Sequence, residues 1–478
     1  MATRRRAGFS SQLLRRRLAP YLGRGRLWVA YSGGLDSSVL LHAASICFGQ
    51  SADEQAALAD SSAEQSAVDL RHSPELCAIH VDHGLNPLSA GWAEHCRRQA
   101  ARLRVPLIER SLGLSRQKGE SLEAVARSAR YAAFADLLGP GDVLATAQHR
   151  DDQAETLLLA LLRGSGLQGL AAMPAMAELG AGRLLRPLLG FSRTELLDYA
   201  EREGIAWIDD PSNADVGLDR NLLRHQVIPQ LRRRWPSVDL TMARSAGHCA
   251  EAAGLLDEAA DEWLARLDGQ RPRTLSVEEL RALPEARCRL VTRRWLTREG
   301  FRPPASAVLN RIMTEALGAG LERAPLVAWP GCEVRRYRGD LYALAPLPAL
   351  PDPSSSPASS STLPWDGRAP LLLPKGLGTL ELPSRADGVG GLTVCFGRSG
   401  LRCRAGNGPG SGPSRALKQL YQQAGVPAWL RPYVPLLMLE GDLVAVAGVT
   451  HCDNRFAALR WTGHPWERFG VFSISSMA

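Results

Sequence analysis

Leu27-Trp28-Val29-Ala30-Tyr31-Ser32-Gly33-Gly34-Leu35-Asp36-Ser37-Ser38-Val39-Leu40-Leu41-His42 is the stretch on which the fold turns. Five apolar residues read as a buried strand, and the residues from Ser37 onward read as a helix. Between them lies a Ser/Gly loop that contains one acid. A strand that feeds such a loop into a helix gathers several backbone N–H groups at one point. The helix dipole adds positive character there. A nest of this kind holds phosphate or pyrophosphate. The Gly-Lys-Ser/Thr ending of a Walker A loop is absent, so the chemistry of ordinary kinases and GTPases is not indicated. The plainer reading is a polar turn before a helix, but it leaves Asp36 and the paired serines without a purpose.

Working outward, strand and helix alternate. Residues 27–31 and 76–82 read as strands, with a helix from Ser37 to about Phe48. Helix 89–103, strand 105–111, helix 120–138, strand 142–147 and helix 151–163 follow. Alternation of this kind predicts a parallel sheet covered by helices, with ligands at the carboxyl ends of the strands. Three polar segments fall at strand ends: Ser32–Ser37, His80-Val81-Asp82-His83-Gly84 and Thr146–Arg150. Residues 9–22 read as a basic helix covering this domain. Gln50 to Pro74 is polar, with little apolar pattern, and reads as an inserted surface loop.

From about 220 to 320 the pattern is helical, with Arg232-Arg233-Arg234-Trp235 and Arg293-Arg294-Trp295 inside it. These runs suit stacking on unpaired bases, or equally the packing of helices with solvated arginines. Residues 325–345 read as short strands, and Pro348 to Pro364 as a Pro/Ser-rich linker. A last unit holds a Gly/Arg-rich stretch (397–415), a helix (414–424) and strands near 436–450. The expected organisation is a parallel-sheet α/β domain at 1–215 with an inserted loop at 50–74. A mainly helical domain at 216–345, a linker at 346–364 and a small α+β domain at 365–478 follow.

The chain has 478 residues, a formal charge of +8 and 22% charged residues. Its basic side is almost all arginine, with lysine only at 118, 375 and 418. Arginine forks onto phosphate and stacks on bases, so an RNA partner fits. No run approaches about 18 apolar residues, so no membrane span is expected. The nine cysteines form no Cys-x-x-Cys pair. Neither a zinc site nor a disulfide framework is expected, and a reducing cytoplasm is.

Thr146-Ala147-Gln148-His149-Arg150-Asp151-Asp152-Gln153-Ala154-Glu155-Thr156 is the densest polar segment. Acids in a first helical turn suit the dipole. At a nucleotide rim they also hold Mg²⁺ or a cationic amine, or act as a base. Glu123, Arg127 and Tyr131 share a helix face, where Arg127 or Arg130 could meet phosphate. Arg220 and Arg224 share another face, which capping does not explain.

The loop resembles the PP-loop, Ser-Gly-Gly-x-Asp-Ser, of the ATP pyrophosphatases, with their adenine nucleotide α-hydrolase-like fold. The order of SGGLDSS, HVDHGL, ESLEAVARSARY, QHRDDQAETLLLALLRGSGLQGL, RLLRPLL and WIDDPSNADVGLDRNLLR narrows this. With RRWLTREGFRPPAS, AWPGCEVRRYRGDLYAL and LKQLYQQAGVPAWLRPYVPLLMLEGDLVAVAG, the chain resembles the tRNA(Ile)-lysidine synthetases over about 27–450. That resemblance implies a ligase. ATP adenylates carbon 2 of the wobble cytidine in an isoleucine tRNA with a CAU anticodon. The ε-amine of L-lysine then displaces AMP. It implies ATP contacts from Ser32, Gly33, Gly34, Leu35, Asp36, Ser37 and Ser38, with Mg²⁺ at Asp36. It sets Asp152 and Glu155 before the lysine amine, and Asp36, Glu155, Arg220 and Gln148 in catalysis. It sets Arg220, Arg224 and Arg431 on tRNA, and it allows a homodimer.

Two departures stand out. Gln148 occupies a position where the family usually has histidine, and His149 comes next. An amide donates to phosphate but accepts no proton with imidazole's strength. Gly397–Pro413 is also richer in Gly and Pro than the usual basic turn. Other readings fit less well. A PP-loop tRNA thiolase usually carries Cys-x-x-Cys pairs. An amidotransferase needs a glutaminase domain. A pure RNA-binding module has no use for Asp36 and the acids at 151–155.

Overall fold

A computed structural model describes residues 8–49, 74–84, 89–113, 122–320, 323–350, 362–383, 391–404 and 414–472. Residues 50–73 of the insert expected at 50–74, residues 351–361 of the linker, and 405–413 lie outside these residues. The chain divides into two compact units, Met1–Leu255 and Leu256–Ala478.

The first unit is built on a six-stranded sheet. Its strands are β1 (Leu27–Ala30), β2 (Leu76–Asp82), β3 (Leu107–Ser111), β4 (Val143–Ala145), β5 (Met176–Leu179) and β6 (Gly182–Leu185). Their order is β3-β2-β1-β4-β6-β5. β1 pairs in parallel with β2 on one side and β4 on the other, Val29 opposite both Ala78 and Ala145. The chain therefore leaves β1 toward one side of the sheet and returns later on the other. A crevice opens above β1 and β4, where the connections diverge. β5 runs antiparallel to β6. That hairpin was not expected, because its strands are four residues each and β5 is half exposed.

Helices α1 (Ser11–Leu18), α2 (Leu35–Phe48), α3 (Ser89–Arg102), α4 (Leu122–Leu137) and α5 (Arg150–Leu162) follow the expected spans to within a few residues. α1 buries Leu14 and Leu18 completely, with Phe9 beside them, against the core of α2. Each such side chain contributes about 1.5–3 kcal/mol. The basic face of α1 stays outside, as its sequence predicts. After the short α6 (Leu167–Leu170) comes α7 (Arg193–Arg202). The chain then forms α8 (Asp219–Leu222), a π-helical turn over Leu223–Val227 and α9 (Ile228–Arg234). α10 (Val238–Leu264) crosses the division between the units.

The second unit holds a four-stranded antiparallel sheet, order β7-β10-β9-β8. Its strands are β7 (Leu275–Ser276), β8 (Leu326–Trp329), β9 (Cys332–Tyr337) and β10 (Asp340–Leu344). They pack on helices at Glu285–Arg298 and Ser306–Arg311 through Val291, Trp295, Leu309 and Val334. Trp295 is thus a core side chain, its Nε1–H donated to Arg273 O at 3.3 Å, the packing role that its sequence also allowed. Arg294 is spent on Asp257 and Asp261. Beyond 362 the chain forms small antiparallel sheets around a separate apolar core with Trp461, Trp466, Phe469 and Val446. The helix expected at 414–424 is shorter, Leu417–Gln423, because Ser414–Ala416 pairs as a strand with Arg402–Arg404.

One expectation is corrected. Cys403 and Cys452 form a disulfide across 49 residues of sequence. Their spacing gives no hint of it, since the bridge depends on strands that meet only in the folded unit. The other seven cysteines are free.

Candidate nucleotide and amine site

The loop after β1 is held in shape by its own serines. Ser37 Oγ donates to Gly34 O at 3.0 Å, lies 3.0 Å from Ser32 Oγ and accepts from Ser32 N–H at 3.3 Å. Ser38 Oγ donates to Gly33 O at 3.3 Å. Gly33 has φ +83°, and a Cβ there would meet Cys96 Sγ at 3.0 Å. Ile208 pins the loop from outside, its N–H donated to Gly33 O at 2.9 Å. Gly34 is the N-cap of α2 and brings no side-chain cap. The first-turn N–H groups of α2 therefore face the crevice with the positive end of the helix dipole.

Asp36 stands in that first turn. Its Oδ1 is buried without a hydrogen-bond partner, and its Oδ2 lies 3.6 Å from His149 Nε2. Among the described residues no three His, Cys, Asp or Glu side chains cluster as a metal cage. A lone carboxylate with an unused oxygen beside a phosphate nest suits Mg²⁺, which keeps several waters and takes its other ligands from substrate phosphates.

His149 closes the crevice from the β4 side. It is the N-cap of α5: Nδ1 accepts from Asp151 N–H at 3.2 Å, and Asp152 Oδ2 accepts from His149 N–H at 3.0 Å. Its side chain is 2% exposed. Burial alone would lower its pKa. Asp152, Asp151 and Asp36 outweigh that and raise it to about 10. Neutral, the ring accepts the cap bond at Nδ1 and carries its proton on Nε2, facing Asp36 and Asp152; charged, it keeps that proton and turns Nδ1–H to Asp151 Oδ2, 3.4 Å away, in place of the cap bond. Gln148 Oε1 accepts from Thr146 Oγ1, which turns the amide NH₂ away from Thr146.

Glu155 is 1% exposed and carries two arginines. Arg224 Nε donates to Oε1 at 2.7 Å, and Arg220 Nε to Oε2 at 2.8 Å. Arg224 also reaches Asp152 Oδ1 at 3.0 Å. Both oxygens of Glu155 are therefore occupied, as are those of Asp152, Oδ1 by Arg224 and Oδ2 by His149 N–H; Asp152, at 14% exposed, is the less buried of the two.

The structure brings together Ser32–Ser38, Asp36, Gln148, Asp152, Glu155, Arg220 and Arg224. Arg431 lies in the second unit, its Nε donated to Val426 O at 3.1 Å and its guanidinium 6.0 Å from the Tyr421 ring centre. His80 is buried, with Nδ1 2.9 Å from Tyr31 O, and so supports the loop from below. Arg127 lies over the Tyr131 ring at 4.9 Å. A cavity of about 130 Å³ lies beside the loop, lined by Tyr31, Ser38, His42, Arg102 and Glu203 among others. A larger one, about 560 Å³, lies in the second unit, lined by Trp461, Phe472, Arg460, His464 and Glu467 among others. The sequence offers Asp151 as a first-turn or rim acid and Arg232 as part of a run suited to stacking on bases or to solvated packing, and it pairs neither with the other. Neither carries a local signal for its partner.

Known proteins fit this geometry. Residues 9–231 match a PP-loop domain family, 275–342 a TilS substrate binding domain and 392–464 a TilS substrate C-terminal domain. The tRNA(Ile)-lysidine synthase of Alkalilimnicola ehrlichii is 42% identical over 96% of each chain. That of Coxiella burnetii is 39% identical over 89% of each. The chain belongs to the tRNA(Ile)-lysidine synthase family. That of Escherichia coli O157:H7 is a further relative, 40% identical over 88% of this chain and 92% of its own. Among solved structures, a U34-tRNA thiolase from Methanococcus maripaludis aligns with 50% of this chain and 78% of its own, at TM-score 0.40 and 14% identity. By the family match, residues 9–231 are the PP-loop, ATP-binding domain. No described helix is long and apolar enough to cross a membrane.

Proposed function

We propose that this chain joins L-lysine to carbon 2 of the wobble cytidine of an isoleucine tRNA with a CAU anticodon. It uses ATP and passes through an adenylated tRNA, releasing diphosphate and then AMP. The observation that carries this reading is the convergence at one rim of a phosphate nest, an unpaired Asp36 oxygen and the Asp152/Glu155–Arg220/Arg224 cluster.

The cytidine C2 oxygen is a poor leaving group, whereas AMP is a good one. The loop N–H groups of 32–38 hold the nucleotide phosphates, and Gln148 donates its amide to them. Mg²⁺, held by Asp36 and the phosphates, would offset the negative charge of the departing diphosphate. Arg220 and Arg224 face the phosphoryl group in transfer. Glu155 keeps both guanidiniums in place, a positioning role in exchange for the direct lysine contact that sequence suggested. Asp152, the less buried carboxylate, receives the lysine amine, its remaining lone pairs accepting a charge-assisted bond from the ammonium. Arg220 and Arg224, with Arg431 in the second unit, are the proposed tRNA phosphate contacts, and exposed Trp235 beside Arg234 is a proposed stacking platform. The domains at 216–345 and 365–478 would read the tRNA, and the cytoplasm is the matching compartment. A homodimer is compatible with this chemistry and not required by it.

The test is AMP release by the purified chain with ATP, Mg²⁺, lysine and that tRNA, each omitted in turn. The expected outcome is tRNA-dependent AMP and a lysine-sized mass gain on cytidine. AMP without the gain would point to another nucleophile, and no AMP would overturn the reading.

A further inference from the structure

Asp151 and Arg232 stand 81 residues apart in sequence and form one ion pair. Asp151 has no side-chain oxygen left over. Oδ1 meets the Arg232 guanidinium, and Oδ2 accepts from Arg193 N–H at 2.9 Å and lies 3.4 Å from His149 Nδ1. Its own N–H makes the cap bond to that nitrogen. Arg232 in turn donates Nε to Asp239 Oδ2 at 2.7 Å. The side chains of Asp151 and Asp239 are 15% and 13% exposed. A continuous line of polar contacts therefore runs from Asp36 through His149, Asp151 and Arg232 to Asp239. It starts at the phosphate loop and ends in the first turn of α10.

Resting on the function proposed above, we propose that Arg232 is a positioning residue for the adenylation step, not an RNA contact. It acts by holding Asp151, and so the His149 cap, against Asp36. The argument is one of charge and geometry. Asp36, in the first turn of α2, and Asp151, Asp152 and Glu155, at the start of α5, converge on His149 and the arginines beside it. Arg220 and Arg224 answer Glu155 and Asp152, and Arg232 is the guanidinium that answers Asp151. Without it, Asp151 is a half-compensated charge beside like charges, and such a group leaves for solvent. Its departure releases the His149 ring, whose Nε2 then no longer faces Asp36. Arg232 is also the arginine of the 232–234 run that is tied to two carboxylates, one of them in the first turn of α5.

The experiment uses the full chain as wild type, Arg232→Met, Arg232→Lys, Asp151→Asn and the Asp151→Asn/Arg232→Met pair. AMP release gives kcat and the tRNA and ATP KM values, and thermal unfolding is followed alongside. Arg232→Met should lower kcat by about 10- to 100-fold, with the tRNA KM within about twofold. Arg232→Lys should recover to within about threefold of wild type. The double variant should be no worse than the weaker single one, since both break the same link. Long-range ¹H–¹⁵N spectra of the histidine rings, with His149 assigned by His149→Gln, supply a readout independent of tRNA. The His149 signals should move in Arg232→Met while those of His80 stay in place. Unmoved His149 signals overturn the proposal whatever the activity. So does a raised tRNA KM at unchanged kcat, which would make Arg232 an RNA contact. If wild type makes no AMP while the His149 signals move, the functional reading fails and the positioning link stands. If Arg232→Met does not fold, Asp151→Asn and Arg232→Lys carry the same comparison.

Discussion

Asp36 concentrates the chemistry of the loop in one side chain, with one oxygen toward His149 and the other unpaired. Asp36→Asn keeps the shape and removes the charge that a metal–phosphate complex needs. It should cut tRNA-dependent AMP release by at least about 10²-fold while shifting the thermal midpoint little, as steady-state kinetics and a melting curve together would show. Gly33 makes a different demand. At φ +83° an alanine is strained by about 1–2 kcal/mol, and its methyl would press on buried Cys96 at 3.0 Å. Gly33→Ala should lower stability in urea unfolding by at least that amount and raise the ATP KM, because the loop's N–H groups move with it. Both residues were legible in the sequence, since a strand, a Ser/Gly loop and a helix lie within sixteen consecutive positions. The pairings of Glu155 with Arg220 and Arg224, and of Asp151 with Arg232, were not legible. They cross 65 to 81 residues, and a charge pattern in sequence states no partner.

At the scale of elements, α5 owes its placement to its neighbour α7. Ser192 Oγ accepts from Glu195 N–H at 3.3 Å, and Glu195 Oε2 accepts from Ser192 N–H at 2.7 Å. The same Glu195 oxygen takes Arg150 Nη2 at 3.0 Å, and Arg193 N–H binds Asp151. Two helix starts thus brace each other just behind the site. Ser192→Ala removes one cap and should cost about 1 kcal/mol, read as a lower urea midpoint at unchanged slope. A midpoint within error of wild type would mean that Glu195 alone suffices. The parallel strands and most helices of this unit were readable because apolar periodicity and length agree. The β5–β6 hairpin was missed because its short strands lack a full alternating face. The Cys403–Cys452 bridge was missed because it joins residues with no common pattern.

Across the whole molecule, the two units keep separate apolar cores and should answer acid differently. His464 decides this for the second unit. It is 4% exposed, stacked on Trp461 at 3.9 Å, and its Nδ1 has no hydrogen-bond partner. Burial pushes its pKa down to about 4 from 6.5, and Glu467 only partly offsets that. The folded ring stays neutral where the unfolded ring binds a proton. Its contribution is therefore fully present above pH 6.5 and is lost as the pH falls from 6.5 toward 4. The loss reaches about 3 kcal/mol near pH 4. Hydrogen exchange followed by peptide should show residues 377–382 and 456–472 losing protection on going from pH 7 to 5, after correction for intrinsic exchange. Residues 27–48 should change less. His464→Gln should flatten the response of the second unit, because glutamine does not titrate. Equal loss of protection in both units, or an unchanged slope in His464→Gln, would place the acid sensitivity elsewhere. The ring would then meet its proton through the cavity it lines with Trp461 and Phe472 without opening the core, which the lack of a partner at Nδ1 to receive the charged form argues against.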